Sequence, residues 1–536
     1  MKLNNEGIKN KNFWENAGVL LPRYNIRETV EKTKQNPVWL HFGAGNIFRA
    51  FLAVLQQNLL NRNETDRGII AAETFDYEII DKIYAPSDNL ILNVILNSDS
   101  TMSREIVASV AEAVKADFSI PDSLKRLTEI ACSPSLQIMS FTVTEKGYAI
   151  INSTGEPLPA VSLDIKNGPE KARHVMSITA ALLYKRYKAG MFPISVVSLD
   201  NCSHNGEKLS DAVVQIARGW LENGFADTGF INWLTDEKCV SFPWSMIDKI
   251  TPRPAKIVAD KLKEYGIEGM ETLITEKDTH IALYANAEKP QYLVIEDNFP
   301  NSRPPLENAG VYFTDRETVN KVERMKVTTC LNPLHTALSV FGCLLGYKHV
   351  HEVMKDDDIE KLIKRLGYTE GLSVVTDPVI LSPKAFIDEV VNERLPNPFM
   401  PDELLRITTD TSQKVSVRFG ETIKSYIKEG KNLAQLIAIP LSVAGWLRYL
   451  LAADDRGKPI AVSTDPLKDE LQAKLKDIVW NNPQSVSGQL SEILSNSVIF
   501  GLDITQTSLG DTIEKMFTEM LSGEGAVRNT LRKYLK

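Results

Sequence analysis

Apolar and polar positions follow two different periods along the first half of the chain. Short runs of consecutive apolar residues predict buried strands, and segments with an apolar position every three or four residues predict helices. The predicted strands are 38–42, 68–72, 90–96, 136–143 and 194–199. Helical patterns such as 171–188 separate these runs. The alternation predicts an α/β domain with a parallel sheet and helices on both faces.

Helical periodicity dominates beyond about residue 315. Its predicted helices are 316–325, 335–346, 359–366, 383–392, 420–429, 433–451, 467–479, 486–494, 512–521 and 526–535. Proline-rich segments at 252–254 and 299–305 precede this change of pattern. Because 536 residues are too many for one ordinary core, we expect an α/β domain over 1–305 and a mainly α-helical domain over 306–536.

The first predicted strand leads into a Gly-x-Gly turn within residues 41–51, HFGAGNIFRAF. Gly43 permits a tight turn, and Gly45 lets a pyrophosphate approach the backbone and the next helix, which begins near Asn46 and Ile47. That helix is predicted to be amphipathic. Its apolar face comprises Ile47, Phe48, Phe51, Leu52, Leu55 and Leu59. The pattern of strand, turn and helix predicts dinucleotide binding, and the alternative is a turn that binds nothing.

Two acids close to the end of the next predicted strand are candidates for binding the adenosine ribose. Either Glu73 or Asp76 could accept hydrogen bonds from the ribose hydroxyls. A carboxylate there would also repel a 2′-phosphate, which favours NAD over NADP. The two acids are equally good candidates, and either could instead cap the following helix.

Three further polar clusters stand where ligands could bind. The segments 142–148, TVTEKGY, and 198–206 follow predicted strands, at the edge where an open parallel sheet binds ligands. The candidate residues in these segments are Thr144, Glu145 and Asn201, and Asp248 lies in a third cluster over 242–252. Farther along, Arg406 and Lys414 flank Asp410. Each cluster alone is also typical of a turn, a cap or a surface ion pair.

The segment 326–335, KVTTCLNPLH, combines residues suited to proton transfer. Asn332 before Pro333 predicts a helix that begins with asparagine as its N-cap. His335 would then lie in the first turn, where the helix dipole disfavours its protonation. A neutral histidine, an asparagine and Lys326 could together manage a proton beside a reacting carbinol. The alternative is a capped helix with a structural histidine and an exposed lysine.

Composition restricts the partners and the location. The formal charge of −8 argues against a general binder of nucleic acids or anionic membranes. The five cysteines have neither metal-knuckle nor redox-pair spacing, and no HExxH is present, so no metal site is predicted. The first residues lack the apolar core of a signal peptide, and no apolar run is long enough to cross a membrane. We therefore expect a cytoplasmic protein.

Together these motifs resemble those of the polyol-specific long-chain dehydrogenases, the family of mannitol 2-dehydrogenase and of the reductases of fructuronate and tagaturonate. The resemblance extends from about residue 36 to at least residue 450. In family order, the motifs are HFGAGNIFRAF, TVTEKGY, SLDN…NG, FPWSMIDKITP, YLVIEDNF…RPPLENAGV and K…NPLH. One of them alone would be weak evidence, whereas the ordered set is highly specific.

The resemblance implies a Rossmann-type domain followed by a mainly helical domain, with NAD or NADP as cofactor and no metal. Lys326 resembles the family lysine that takes the alcohol proton during oxidation and returns it during reduction. Asn332 and His335 match the residues that polarise and position the carbonyl oxygen. The family's substrate contacts map onto Asn201, Asp248, Arg406 and Lys414.

The chain departs from the family in the spacing between the lysine and the asparagine. The family usually has five steps there, and this chain has six from Lys326 to Asn332. On one unbroken helix the extra residue would turn the lysine by about 100°. We expect a break over 328–331 to absorb it; otherwise another group carries the proton.

The function that the resemblance implies is NAD-dependent hydride transfer between D-mannonate and D-fructuronate. A substrate with a carboxylate suits Arg406, Lys414 and Arg394 as candidate cations, although each could form a surface ion pair instead. Reduction of tagaturonate and oxidation of mannitol or arabinitol are alternatives. A catalytically silent NAD-binding sensor is an alternative of another class. The partner is a small sugar acid or polyol, and a monomer and a dimer are both compatible with the sequence.

Overall fold

The computed structural model describes residues 1–400 and 402–536, which divide into two compact units. Unit 1 comprises Met1–Asn97 and Thr101–Asn320, and unit 2 comprises Ser98–Ser100 and Lys321–Lys536. The division falls at Asn320 rather than at the expected residue 305. The reason is a strand at Tyr312–Thr314 that pairs in parallel with Tyr292–Glu296 and holds the intervening segment in unit 1.

Six parallel strands form the main sheet of unit 1. They are β1 (Trp39–Phe42), β2 (Ile69–Glu73), β3 (Val110–Lys115), β4 (Ile138–Phe141), β5 (Ile194–Ser198) and β6 (Val240–Ser241). Their order across the sheet is β3-β2-β1-β4-β5-β6. This is the order of a Rossmann sheet, in which the direction of strand addition reverses between β1 and β4. The predicted fold class is confirmed.

The predicted strand at 90–96 does not belong to this sheet. It forms as Ile91–Leu96 and pairs antiparallel with Met102–Val107 and parallel with Tyr284–Glu288. These strands and Val19–Leu20 make a second sheet of four strands. The third position of the Rossmann half belongs instead to β3, whose sequence VAEAVK is only partly buried and therefore lacks an apolar run.

Helices and smaller sheets complete unit 1. The α-helices are Lys11–Asn16, Ile26–Gln35, Ala53–Asn61, Pro121–Ala131, Thr144–Tyr148, Pro159–Asn167, Val175–Gly190, Asn205–Glu222, Thr228–Thr235 and Lys256–Glu264. Two π-helical segments are Phe48–Leu52 and Ile80–Tyr84. Ser245–Asp248, Tyr292–Glu296 and Tyr312–Thr314 form a three-stranded sheet, and Leu273–Ile274 pairs with His280–Ile281.

The helix after the glycine turn is buried on nearly every side, which corrects the prediction of a single apolar face. The four-stranded sheet covers the face that would otherwise meet water. Gln57 shows the contact directly, because its amide donates to the Ile106 carbonyl at 2.6 Å and accepts from the Ala108 N–H at 2.7 Å. A buried polar side chain satisfied by a neighbouring strand replaces the expected solvent-facing surface.

Unit 2 is mainly helical, as predicted, and the helix Arg316–Met325 leads into it. Its other α-helices are Asn332–Leu344, Val350–Val353, Asp357–Lys364, Pro383–Glu389, Leu404–Ile407, Glu421–Lys428, Ala438–Tyr449, Lys468–Lys474, Gln489–Leu494, Ser497–Phe500, Leu509–Glu519 and Ala526–Tyr534. Four π-helical segments are Lys326–Cys330, Arg365–Gly371, Val390–Arg394 and Ser416–Gly420. Every residue of Ala438–Tyr449 is buried, so this helix lies in the core of unit 2.

The helical segments over Arg316–Leu344, counted together as 29 residues, are long and apolar enough to cross a membrane by length and composition alone. In this structure 83% of their most apolar window is buried inside the protein. Burial against protein is the ordinary state of a core helix.

Candidate active site

The glycine turn after β1 has the geometry that a dinucleotide requires. Gly43 has a φ of +104°, and a Cβ at that position would lie 2.2 Å from the Thr142 carbonyl oxygen. No other residue fits there without displacing the backbone. At Gly45, by contrast, a Cβ would meet no atom within 4 Å. Gly43 is therefore packed closely against the Thr142 backbone, whereas the space beside Gly45 is open and a pyrophosphate could approach the backbone there.

The two candidate acids at the end of β2 have different surroundings. Glu73 accepts the Ala44 N–H with Oε2 at 2.8 Å, and its Oε1 accepts the N–H groups of residues 74–76 at 2.8 to 3.1 Å. The Asp76 carboxylate instead accepts the Thr275 hydroxyl at 2.6 Å. Glu73 thus faces the glycine turn, as the ribose-binding acid of a Rossmann domain does. This geometry favours Glu73 over Asp76 for the ribose.

A buried chain of hydrogen bonds supports the turn from below. The Trp39 indole donates to Ser140 Oγ at 2.7 Å, and Ser140 Oγ lies 2.7 Å from His41 Nδ1. His41 Nε2 is 2.9 Å from Thr142 Oγ1, whose hydroxyl donates to the Gly43 carbonyl. Burial lowers the pKa of His41 to about 3, so the ring is neutral. The Thr142 hydroxyl has one hydrogen and donates it to the Gly43 carbonyl, so Nε2–H donates to Thr142 Oγ1. Nδ1 of this tautomer has no hydrogen and accepts the Ser140 hydroxyl.

Asp200 joins the loops that follow β4 and β5. Its carboxylate accepts the N–H groups of Val143 and Thr144 at 2.8 and 3.1 Å and the Tyr148 hydroxyl at 2.6 Å. Burial raises the pKa of the Asp200 carboxyl above its usual range. The backbone of Thr144, one of the predicted cofactor contacts, is thereby fixed with φ at +64°. Asp200 lies within the polar segment 198–206, but no pattern in the sequence marks it as the acid that connects two loops.

The other predicted contacts of unit 1 are placed differently. Glu145 is 67% exposed and pairs with Lys208 at 2.5 Å, so its side chain points to solvent. Asn201 is exposed on the loop after β5, and Asp248 is buried at the end of an antiparallel strand. All eight predicted cofactor residues and Asn201 lie at the carboxyl edge of the parallel sheet or in the loops leaving it.

In unit 2, Lys326 begins a π-helical turn, Lys326–Cys330. The Leu331 N–H donates to the Lys326 carbonyl at 3.1 Å and closes the turn. Leu331 then leaves helical geometry, with φ at −131° and ψ at −62°. Because a π turn holds one residue more than an α turn, it accommodates the extra residue between Lys326 and Asn332. Lys326 is only 3% exposed, unlike the solvated lysine of the alternative interpretation.

The next helix, Asn332–Leu344, begins one residue earlier than predicted, because its N-cap is Leu331 and not Asn332. Leu331 is the N-cap, and Asn332 and Pro333 occupy the first two helical positions. The dihedral angles with which Leu331 ends the π turn displace the cap from Asn332. The amide of Asn332 has no hydrogen bond within residues 1–400 and 402–536, which leaves it available to a substrate oxygen. His335 lies in the same first turn, and its N–H donates to the Leu331 carbonyl at 3.0 Å.

The predicted cations of unit 2 have unequal surroundings. Arg406 is 70% exposed and pairs with Asp402, four residues earlier. Lys414 is partly buried, and its Nζ donates to the Thr409 carbonyl at 2.5 Å. Burial, together with the nearby Arg418, lowers the pKa of Lys414 below its usual range. Arg394 is buried at the end of a π-helical segment. Arg418, which no motif in the sequence marks as a ligand contact, lies beside Lys414.

No three side chains of histidine, cysteine, aspartate or glutamate converge on a possible metal position in the described part of the chain. None of the five cysteines, all of which lie in the described residues, forms a disulfide.

Two family models match the chain in tandem, one described as the mannitol dehydrogenase Rossmann domain over residues 38–308 and one as the mannitol dehydrogenase C-terminal domain over 318–521. A D-mannonate oxidoreductase of Thermotoga maritima is 50% identical over 99% of both chains. A mannitol 2-dehydrogenase of Aspergillus fumigatus is 29% identical over 94% of this chain and 93% of that protein.

Two solved structures share the whole fold. The Pseudomonas fluorescens mannitol 2-dehydrogenase, in a ternary complex with NAD and D-mannitol, superimposes with a TM-score of 0.68 at 26% identity, covering 100% of this chain and 99% of that one. A substrate-free D-sorbitol dehydrogenase gives a TM-score of 0.76 at 24% identity, covering 96% and 98%. The second likeness concerns the fold alone.

Proposed function

The chain belongs to the mannitol dehydrogenase family, and on that premise we propose that it is an NAD-dependent oxidoreductase that interconverts D-mannonate and D-fructuronate. The observation that carries the choice of substrate is the full-length identity of 50% to a D-mannonate oxidoreductase. The mannitol 2-dehydrogenases reach only about 30%. The glycine turn and the buried lysine supply the two parts that such chemistry needs.

The residues at the carboxyl edge of the sheet fit the cofactor. The open backbone at Gly45, with Asn46 and Ile47 at the start of the helix, would hold the pyrophosphate. Glu73 would accept the ribose hydroxyls, because its Oε2 takes only one hydrogen bond in the structure and can accept another. Held by these residues, NAD would supply the hydride acceptor for oxidation, and NADH the hydride donor for reduction.

The residues that transfer the proton of the reacting hydroxyl belong to unit 2. During oxidation the Lys326 amine takes the proton of the carbinol hydroxyl while the carbinol carbon gives up its hydride. During reduction the Lys326 ammonium returns that proton to the ketone oxygen. The Asn332 amide donates a hydrogen bond to the same oxygen and stabilises the negative charge that develops on it. His335, three residues farther on in the same first turn, positions the oxygen with it.

The test of this function is a comparison of substrates with the purified enzyme. Oxidation of NADH is measured with fructuronate, tagaturonate and fructose over a range of concentrations. We expect the highest kcat/KM with fructuronate. A higher value with tagaturonate or fructose would support those alternatives, and binding of NADH without turnover of any ketose would indicate the silent sensor.

We expect the enzyme to use NAD more efficiently than NADP, because a carboxylate at the ribose repels a 2′-phosphate. Glu73→Gln should narrow this preference, since the substitution keeps the size of the side chain and removes its charge. Asp76→Asn is the matched control, because Asp76 faces Thr275 and should leave the preference unchanged. The measurement is the ratio of kcat/KM for the two cofactors. If the preference for NAD over NADP is lost in Asp76→Asn and kept in Glu73→Gln, Asp76 binds the ribose instead.

We also expect activity to survive prolonged chelation. Lys326 supplies the acid and base, so no Lewis acid is needed at the reacting oxygen. The rate is measured after dialysis against EDTA and again after addition of zinc or manganese. A loss that one of these metals specifically restores would contradict the lysine mechanism.

A further inference from the structure

Arg418 lies beside the helix that begins at Asn332. Its Nη1 donates to Thr336 Oγ1 at 2.5 Å, and the Thr336 hydroxyl donates to the Asn332 carbonyl at 3.1 Å. Within residues 1–400 and 402–536, no carboxylate pairs with this guanidinium. We propose that Arg418 binds the carboxylate of the substrate and thereby selects sugar acids over neutral polyols. This proposal rests on the proposed function and assigns a residue to its substrate selectivity.

Two other deeply placed arginines differ from Arg418, because backbone carbonyls accept most of their N–H donors. Arg186 donates five hydrogen bonds to backbone carbonyls, and Arg448 donates three. A guanidinium has five N–H donors, of which Arg418 uses one. Burial lowers the pKa of Arg418 to about 10, so it keeps its positive charge at neutral pH. It is therefore a charged group with most of its donors unused.

The position of Arg418 along the helix suits the length of a hexuronate. Thr336 follows Asn332 by four residues, which corresponds to about 6 Å along the helix axis. In D-fructuronate the ketone and the carboxylate stand toward opposite ends of the carbon chain. With the ketone oxygen at Asn332, the carboxylate reaches the level of Thr336, where the Arg418 guanidinium lies.

The neighbouring cations are less suited to this contact. Arg406 is exposed and already pairs with Asp402, and Lys414 donates to a backbone carbonyl. The backbone N–H of Arg418 donates to the backbone carbonyl of Lys414 at 2.9 Å, so the two residues lie one helical turn apart. Lys414 adds positive potential at this place, while the planar fork of Arg418 can take a carboxylate through two parallel hydrogen bonds.

The experiment compares D-mannonate with its neutral amide, D-mannonamide, in the wild type and in Arg418→Gln. We expect the substitution to lower kcat/KM for D-mannonate roughly 10- to 100-fold, mainly through KM, because a charged hydrogen bond is lost. The value for the amide should fall by a much smaller factor, because its uncharged carbonyl forms only a weaker hydrogen bond with the guanidinium. Arg532→Gln, which removes an exposed arginine that pairs with Asp358, is the matched control and should change neither value.

Several outcomes would overturn the role of Arg418. An equal fall in kcat/KM for D-mannonate and for the amide in Arg418→Gln would indicate a structural role. If the preference for D-mannonate over the amide is lost in Arg406→Gln and kept in Arg418→Gln, Arg406 binds the carboxylate instead. Should Arg418→Gln fail to fold, Arg418→Lys gives the same comparison, with a several-fold rise in KM for D-mannonate alone as the expected result. A wild type that oxidises mannitol better than D-mannonate would refute the proposed function itself.

Discussion

Replacing Lys326 with alanine should lower the turnover of D-mannonate roughly 10²- to 10⁴-fold, which is what a positioned proton transfer contributes. Binding of NAD should be almost unchanged, because the glycine turn and Glu73 belong to unit 1 and Lys326 belongs to unit 2. Turnover is measured at saturating NAD, and cofactor affinity by the quenching of protein fluorescence.

Lys361→Ala is the control, since it removes an exposed lysine from another helix of unit 2. Asn332→Ala should also lower turnover, because the ketone oxygen loses a hydrogen bond. Melting temperatures separate these effects from a loss of folding, as Lys326 is buried. Turnover close to that of the wild type in Lys326→Ala would mean that the π turn has carried the lysine away from the reacting oxygen. The fold and the cofactor assignment would stand in that case.

Alanine at each of the two turn glycines should separate stability from cofactor binding. Gly43→Ala should lower both the melting temperature and the affinity for NAD. Its Cβ would lie 2.2 Å from a carbonyl oxygen, and a φ of +104° is strained for any residue with a side chain. Gly45→Ala should leave the melting temperature unchanged, because nothing in the protein lies within 4 Å of the added methyl group. The substitution should nevertheless weaken the binding of NAD, because the pyrophosphate needs that space.

Differential scanning calorimetry and titration of NAD on the same two variants test this separation. Each variant serves as the control for the other. A Gly45→Ala protein that binds NAD as the wild type does would show that the pyrophosphate does not approach the backbone at this turn. A Gly43→Ala protein of normal stability would show that the segment around Thr142 can move aside.

The sequence pattern predicted the Rossmann sheet because its central strands are buried on both faces and therefore appear as continuous apolar runs. It missed β3, since an edge strand with partial exposure carries no such run. It also assigned 90–96 to the wrong sheet. The partners of that strand include Tyr284–Glu288, far along the chain, and no local pattern records so distant a pairing.

Some residues of the candidate site could likewise be found from the sequence, and others could not. Gly43 and Gly45 could be found from the sequence, because their function depends on having no side chain at all. The link from Ser140 to His41 could not, since it depends on the register between β1 and β4, which places the two residues opposite each other. The cap at Leu331 was missed because the pattern of Asn332 before Pro333 carries no sign of the π turn that precedes it.

The π turn at Lys326–Cys330 bears on how this chain should be aligned and recombined with its relatives. An insertion of one residue in an ordinary helix rotates everything on one side of it by about 100°. Here the surplus is confined to a single wide turn, so the flanking helices need not rotate to accept it. An alignment gap therefore belongs between Lys326 and Leu331, inside a helical stretch where gaps are usually avoided. Chimaeras with a relative one residue shorter should exchange residues 326–331 as one block, because a crossover within it would divide the insertion from the turn that absorbs it.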